Sequence, residues 1–275
     1  MNFSIGVIIS TYNKPAWLEK TLWGYLNQTV RPDEIIIADD GSTDDTRRLI
    51  QSFADRLPLR HVWHEDCGFR KSRILNKAVI ASTADYLIFT DQDCIPRPDF
   101  VEVHCRNARP GRYVSGGYFR LSPQISEAIT KDDVDQCRVF DYKWLRHNGL
   151  PFTLKCTKLI GGRRLSALFD AITTAHDTWN GCNSSGWRAD IIAANGFDER
   201  MRYGGQDREF GIRLVNNGIR PVQRRHSAVV VHLYHDRPYK TKESIDFNRG
   251  MIAQSKRTGV VATPFGIKEH NQSEQ

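Results

Sequence analysis

The chain has 275 residues, a mass of 31.5 kDa, 40% hydrophobic and 26% charged side chains, which suits a globular protein with one sizeable core or a core plus a satellite subdomain. A net charge of +7 and a pI near 9.1 favour anionic partners. The basic residues are scattered, however, and no helix-turn-helix, zinc-finger or RNA-recognition signature accompanies them, which argues against nucleic acid. No apolar run reaches the length of a membrane span, MNFSIGVIIS lacks a basic n-region, and the six cysteines form no Cys-x-x-Cys pair. A cytoplasmic protein with reduced thiols is the expectation.

In chain order, Ile5–Ile9 is a continuous apolar run suited to a central parallel strand. After the turn Ser10-Thr11-Tyr12-Asn13, Pro15 fits a helix's first turn, and Leu18, Leu22, Tyr25 and Leu26 share a face. Glu34–Ala38 repeats the strand pattern, breaks at Asp39-Asp40-Gly41-Ser42, and is followed by a helix marked by Leu49, Ile50, Phe53 and Leu57. A weaker strand at Arg60–Trp63 leads through a glycine-containing turn to a helix at Ser72–Ala81, and a fourth strand, Tyr86–Thr90, runs into Asp91-Gln92-Asp93. From Tyr113 the rhythm changes. Leu121–Trp179 carries helical signals and no clean strand, and order returns with helices at Arg188–Asn195 and Asp207–Asn216, a Gly204-Gly205 turn between them, and a strand Ala228–Val231 closing on His232. A polar, frayed tail is expected after Thr263.

This alternation predicts an α/β fold, a Rossmann-like wound and mostly parallel sheet with helices on both faces. Ligands of such sheets bind beyond the carboxyl ends of the strands, where the turns at Thr11, Asp39-Asp40 and Asp91-Gln92-Asp93 meet. On a strand, Asp91 and Asp93 point to one side and invite a cation, Mn2+ or Mg2+, whose shell water and phosphate oxygens complete; two unrelated solvated acids are the alternative. Asp40 reads either as part of a helix cap or as an acceptor for an imide or ribose hydroxyl. The basic residues of GFRKSRILNKA stand at a helix start, where phosphate is attracted, or form an exposed basic turn. YGGQDRE places a carboxylate on a movable loop, suited to general-base work or merely to an ordinary helix N-terminus. His232 and His235 are candidate metal ligands or structural histidines.

Taken together, IISTYNKP, IIIADDGSTDDT, GFRKSRILNKA, FTDQDCIPRPDF, WNGCNSSGWRADIIAANGFDE, YGGQDREFGIRL and AVVVHLYHDRP resemble, in this order, the family-2 nucleotide-sugar glycosyltransferases of GT-A fold, the second half looking like their galactosyltransferase-type C-terminal region. The resemblance spans about Ile5 to Pro238, leaving mainly Leu121–His176 and the tail unmatched. It implies that Thr11, Tyr12 and Asp40 hold the nucleobase, uracil by family habit, with Ser10, Asn13 and Gln92 in the same nucleotide site. Arg73 would sit near base or diphosphate, and Asp91 near ribose or metal. Asp93 would bind the metal with His232, or with His235 as the alternative. Gly181, Cys182, Asn183, Gly205 and Gln206 would line the sugars, and Asp207 would be the catalytic base. Gln206 departs from the family's frequent Gly-Gly-Glu-Asp.

On this likeness residues 1–120 form a nucleotide-sugar-binding half, 121–262 an acceptor-binding and catalytic half, and 263–275 a tail. The expected activity is inverting, metal-dependent transfer from a UDP-sugar to a hydroxyl of a glycan or glycolipid in surface polysaccharide or lipopolysaccharide synthesis, with Gly162–Phe169 touching an anionic membrane, covering the acceptor, or simply forming an amphipathic helix. The rivals are a sugar nucleotidyltransferase, which should show a Gly-rich, basic phosphate loop after the first strand where Ser10-Thr11-Tyr12-Asn13 stands, and a non-catalytic sugar-nucleotide binder.

Overall fold

Ile5–Thr11 (β1) is buried along its whole length, as a strand sandwiched between two helical layers must be. Its side chains alternate between two cores. Ile5, Val7 and Ile9 join Ile35, Ile37, Tyr86 and Ile88 on one face, while Ile8 joins Ile36, Ala38, Leu87 and Phe89 on the other. Burying one such aliphatic side chain contributes about 1.5–3 kcal/mol. The computed structural model describes residues 2–159, 162–174, 178–236 and 239–268. After β1 come α1 (Pro15–Leu26), β2 (Glu34–Asp39), α2 (Asp44–Ser52), β3 (Leu59–Trp63), α3 (Lys71–Ala81), β4 (Tyr86–Asp91), β5 (Cys94–Pro96), α4 (Phe100–Asn107) and β6 (Arg112–Arg120). Short helices α5 (Pro123–Ala128), α6 (Lys131–Asp135), α7 (Tyr142–His147) and α8 (Arg163–Ile172) precede β7 (Asn183–Trp187), α9 (Arg188–Ala193), α10 (Gln206–Asn216), β8 (Arg220–His232) and α11 (Lys242–Thr258).

One eight-stranded sheet, ordered β3-β2-β1-β4-β7-β6-β8-β5, runs through the molecule. β1, β2, β3 and β4 pair in parallel, as do β6 and β8, while β7 and β5 pair antiparallel with their neighbours. The parallel register aligns Ser10 with Asp91 and Thr11 with Asp39, so these turns leave the sheet at one level. A third core, built on Ile95, Phe119, Leu121, Ile125, Val139 and Leu145, holds the helical insertion against β5, β6 and β8. No helix among the described residues is long and apolar enough to cross a membrane.

Four features differ from the sequence expectation. Asp91 and Asp93 do not share a strand, because β4 ends at Asp91 and a turn intervenes before β5. The short strand β7 reads Asn-Ser-Ser-Gly-Trp, a poor strand composition held by β4 on one side and β6 on the other. The residues that α11 buries fully are polar, Ser244, Asn248 and Ser255. Residues 263–268 are not frayed. Thr263 and Ile267 are buried, and Ile267 N–H donates to Asn195 O at 3.1 Å; the expected tail beyond, 269–275, lies outside the described residues.

Candidate active site

At the carboxyl edge of β1, β2 and β4, Ser10, Thr11, Tyr12, Asn13, Asp40, Asp91, Gln92 and Asp93 line a cavity of about 440 Å3. Gln92 is the tie between its loops: its amide oxygen accepts from Thr11 Oγ1 and, at 3.1 Å, from Tyr12 N–H, and its amide nitrogen donates to Tyr12 O at 3.1 Å. Asn13 holds the turn after β2, taking Thr43 N–H on its Oδ1 and donating its own N–H to Ser42 Oγ, both at 2.9 Å. Asp40 is fixed by His64 Nε2 at 2.7 Å and by Arg70 N–H at 2.9 Å, while Asp39 is buried against His61. Gly41, at φ +98°, allows this: a Cβ there would lie 2.5 Å from Asp66 Cα. The two histidine partners of these acids carry no motif of their own; the pairing of β2 with β3 brings His61 to Asp39, and just beyond both strands His64 meets Asp40.

The cation beside Asp91 is a side chain. Lys71 Nζ donates to Asp91 Oδ1 at 2.6 Å, and Ser10 Oγ donates to the same oxygen at 2.6 Å. Burial opposes ionisation of Asp91, yet Lys71 and Ser10 outweigh it and hold the carboxyl below its usual range. Burial likewise pulls the Lys71 ammonium down, but Asp91 and Asp207 together raise it above its ordinary value. Arg73, expected near the base or diphosphate, is absent from the linings of both cavities and faces Glu199 at 4.0 Å. The reason is helical: residues two apart lie on opposite faces, and Lys71 shares its stripe with the buried Ile74, Leu75 and Ala78. That periodicity was available in the sequence and singles out Lys71.

Asp93 faces two histidines, His235 Nε2 at 3.2 Å and His232 Nδ1 at 3.9 Å from Oδ2. The two imidazoles stack, with centroids 5.4 Å apart and an interplanar angle of 16°. Each uses Nδ1 toward a backbone carbonyl, His232 to Leu233 O at 2.8 Å and His235 to Asp236 O at 3.0 Å. This places the ring proton on Nδ1 and leaves Nε2 free to accept a hydrogen bond or to ligate an ion. Asp93, Cys94 and His232 also bring potential ligand atoms within 4.8 Å of one another. A carboxylate with imidazole nitrogens is a donor set that fits a divalent cation.

Across the wall formed by Lys71 and Asp91 lies a second cavity of about 210 Å3, lined also by Tyr118, Arg120, Gly181, Cys182, Gln206, Asp207, His232 and His235. Asp207 stands in the first turn of α10, behind Gly204 and Gly205 at φ +109° and +120°. The Gln206 carboxamide oxygen accepts both Gly204 and Gly205 N–H at 3.1 Å. Deeper in α10, Glu209 pairs with the fully buried Arg213, which also donates to Gly196 O at 2.8 Å. Asp207 Oδ1 is sealed from solvent and accepts no hydrogen bond. Burial, aided by the charge of Asp91 and opposed by Lys71, pushes this carboxyl up to about 6. Gly181 lies under it: a Cβ there would meet Asp207 Oδ2 at 2.3 Å. Two expected sugar-lining residues are not at the surface of this cavity. Asn183 is turned into the core, donating to Gly117 O and Ala228 O, and Gly205 stands behind Gln206. Sequence reading also passed over Phe69 and Tyr239, which line both cavities.

The family profile of Glycosyl transferase family 2 matches residues 6–152 of the 275. Validoxylamine A glucosyltransferase of Streptomyces hygroscopicus subsp. limoneus is 31% identical over 232 residues, 78% of this chain and 48% of the relative. Hyaluronan synthase of Pasteurella multocida is 26% identical over 78% of this chain and 23% of its own length. The chain thus spans about half, or less, of the length of these curated relatives. Among solved structures, the Pyrobaculum calidifontis mannosyltransferase PcManGT, in complex with GDP-Man and Mn2+, superimposes with a TM-score of 0.58 at 19% identity over 87% of this chain and 59% of that one. S. aureus TarS 1-349 in complex with UDP-GlcNAc gives 0.62 at 14% identity over 98% and 70%. These likenesses establish a common fold, and with the profile match they show that this chain belongs to glycosyl transferase family 2 and has the GT-A architecture of its neighbours.

Proposed function

We propose that the protein transfers a sugar from a nucleotide-diphosphate donor, a UDP-sugar by the family resemblance, to a hydroxyl of a glycan or glycolipid, with inversion at the anomeric carbon. The observation that carries this reading is the Asp207 carboxyl, which lines a cavity that shares Lys71 and Asp91 with the larger cavity at the sheet edge. The base and ribose occupy the larger cavity between Tyr12 and Asp40; the transferred sugar and the acceptor meet in the smaller one. The Asp207 carboxylate takes the proton of the acceptor hydroxyl, whose oxygen attacks the anomeric carbon as the bond to the diphosphate breaks on the opposite face. A carboxyl raised to about 6 is a stronger base than an ordinary aspartate and is still ionised at neutral pH. Asp93 with His232 and His235 would hold Mn2+ or Mg2+, whose chemistry when bound is to neutralise the diphosphate. Residues up to about 120 thus serve mainly the nucleotide, and those to 262 the acceptor and the base.

The exposed Leu165, Leu168 and Ile172 of α8, beside the exposed Arg164, support contact with an anionic membrane surface at the cytoplasmic side and hence a lipid-linked acceptor. The decisive test is UDP-sugar hydrolysis with Mn2+ in wild type, Asp207→Asn and Asp93→Ala. Asp207→Asn should bind UDP and turn over very slowly; Asp93→Ala should lose metal-dependent binding. Full activity in both variants would sink the proposal, and binding of a UDP-sugar without turnover by any variant would favour a binding protein.

A further inference from the structure

Within the nucleotide-sugar reading, on which this inference rests, the Asp-x-Asp sequence does not act as a unit. We propose that Lys71 is the protein's own cation for the departing diphosphate, that Asp91 is its positioning residue, and that metal binding falls to Asp93 and the histidines.

Three observations lead there. First, of the lysines and arginines among the described residues, Lys71 is the one that lines both cavities; Lys14 reaches only the larger and Arg120 only the smaller. The bond that breaks must lie where the two meet, because the nucleotide fills one side and Asp207 works on the other. Second, Asp91 Oδ1 is already engaged by two donors, Lys71 Nζ and Ser10 Oγ, each at 2.6 Å, and Ser10 is held opposite it by the register of β1 and β4. A metal at that oxygen has to displace an ammonium and a hydroxyl. Asp93 Oδ2 instead has His235 Nε2 at 3.2 Å, with the His232 ring stacked on that imidazole. Third, an ammonium has three N–H donors, and the structure shows one of them on Asp91. A diphosphate oxygen can take another without breaking that ion pair, so Asp91 aims the lysine while the lysine meets the charge developing on the leaving group.

The test separates this division from the parent reading by measuring binding without metal. Calorimetry in EDTA compares UDP with uridine, and GDP with guanosine, so that a wrong choice of base shows as preference for the other pair. Wild type should bind its diphosphate roughly tenfold or more tightly than the nucleoside, the scale of one charge-assisted hydrogen bond. Lys71→Gln should erase that ratio and Lys71→Arg should keep most of it, with unfolding midpoints near wild type. Asp91→Asn should shrink the ratio while leaving the extra affinity gained on adding Mn2+ unchanged. Asp93→Asn should do the reverse. An unchanged ratio in Lys71→Gln, or loss of the Mn2+ gain in Asp91→Asn, overturns the proposal. Failure of the parent reading appears elsewhere, as full turnover by Asp207→Asn.

Discussion

The two cavities are built differently although one sheet carries both. The larger cavity is set by strand register: β1, β2 and β4 end together, and Ser10, Thr11, Asp39 and Asp91 take their places from backbone pairing. The smaller cavity is assembled from the turn before β7, the Gly-Gly start of α10 and the segment after β8, elements distant in sequence that meet only through β6, β7 and β8. Register fixes side chains to within a hydrogen bond at little cost in special residues. The loop-built side needs specific devices instead, such as Gly181 under Asp207 and the buried Glu209–Arg213 pair that anchors α10.

The largest expected effect breaks the loop-built side alone. Asp207→Asn should lower kcat by about 10²–10⁴-fold while nucleotide affinity, measured by calorimetry, stays within a fewfold. Next, Arg213→Met leaves Glu209 buried without its partner and should cost about 3–5 kcal/mol in urea unfolding. Ile8→Ala, the counterpart on the register-built side, should cost about 2–5 kcal/mol and lower nucleotide affinity with stability. Gly181→Ala is subtler: its methyl collides with the carboxylate, so kcat should fall with little change in unfolding midpoint.

The pH dependence separates activity from stability at the same residue. A carboxyl at about 6 in the folded protein against 3.8 in a free aspartate must lose its proton to act, so kcat/KM should rise with pH and level off above about 6. The stability effect has the opposite sign. The unfolded chain ionises first, so stability falls between about 3.8 and about 6 and stays lower above. Asp207→Asn should therefore gain on the order of 1–2 kcal/mol at pH 7. Absence of a gain at pH 7 relative to pH 3.5 would show that the carboxyl is not raised. The smallest effect is peripheral: Leu165→Ser with Leu168→Ser should reduce sedimentation with phosphatidylserine vesicles severalfold and leave hydrolysis of the donor unchanged.

The same contrast explains what the sequence disclosed. β1, β2 and β4 are apolar runs that end on acids, and both strand and turn are legible because burial on two faces demands such composition. Asp207 stood out for its Gly-Gly lead. β7 was invisible because Asn183, Ser184 and Ser185 are buried polar residues whose partners, among them His104 and Tyr86, lie far away in sequence. Arg73 falls on the far face of α3, while helical spacing from Ile74 and Leu75 puts Lys71 at both cavities. His61 and His64 gave no signal, since their partners, Asp39 at the end of β2 and Asp40 just after it, are far away in sequence.

Gln206 shows what an uncharged residue does beside a titrating one. Its carbonyl clamps two successive peptide N–H groups of the Gly-Gly turn, and a glutamate there would accept the same bonds. It would also add a negative charge next to Asp207, so that protonation of the neighbour and the grip on the turn would depend on each other. With an amide, the clamp has the same strength whether the base is charged or neutral, and the turn keeps one shape through the proton's arrival and departure.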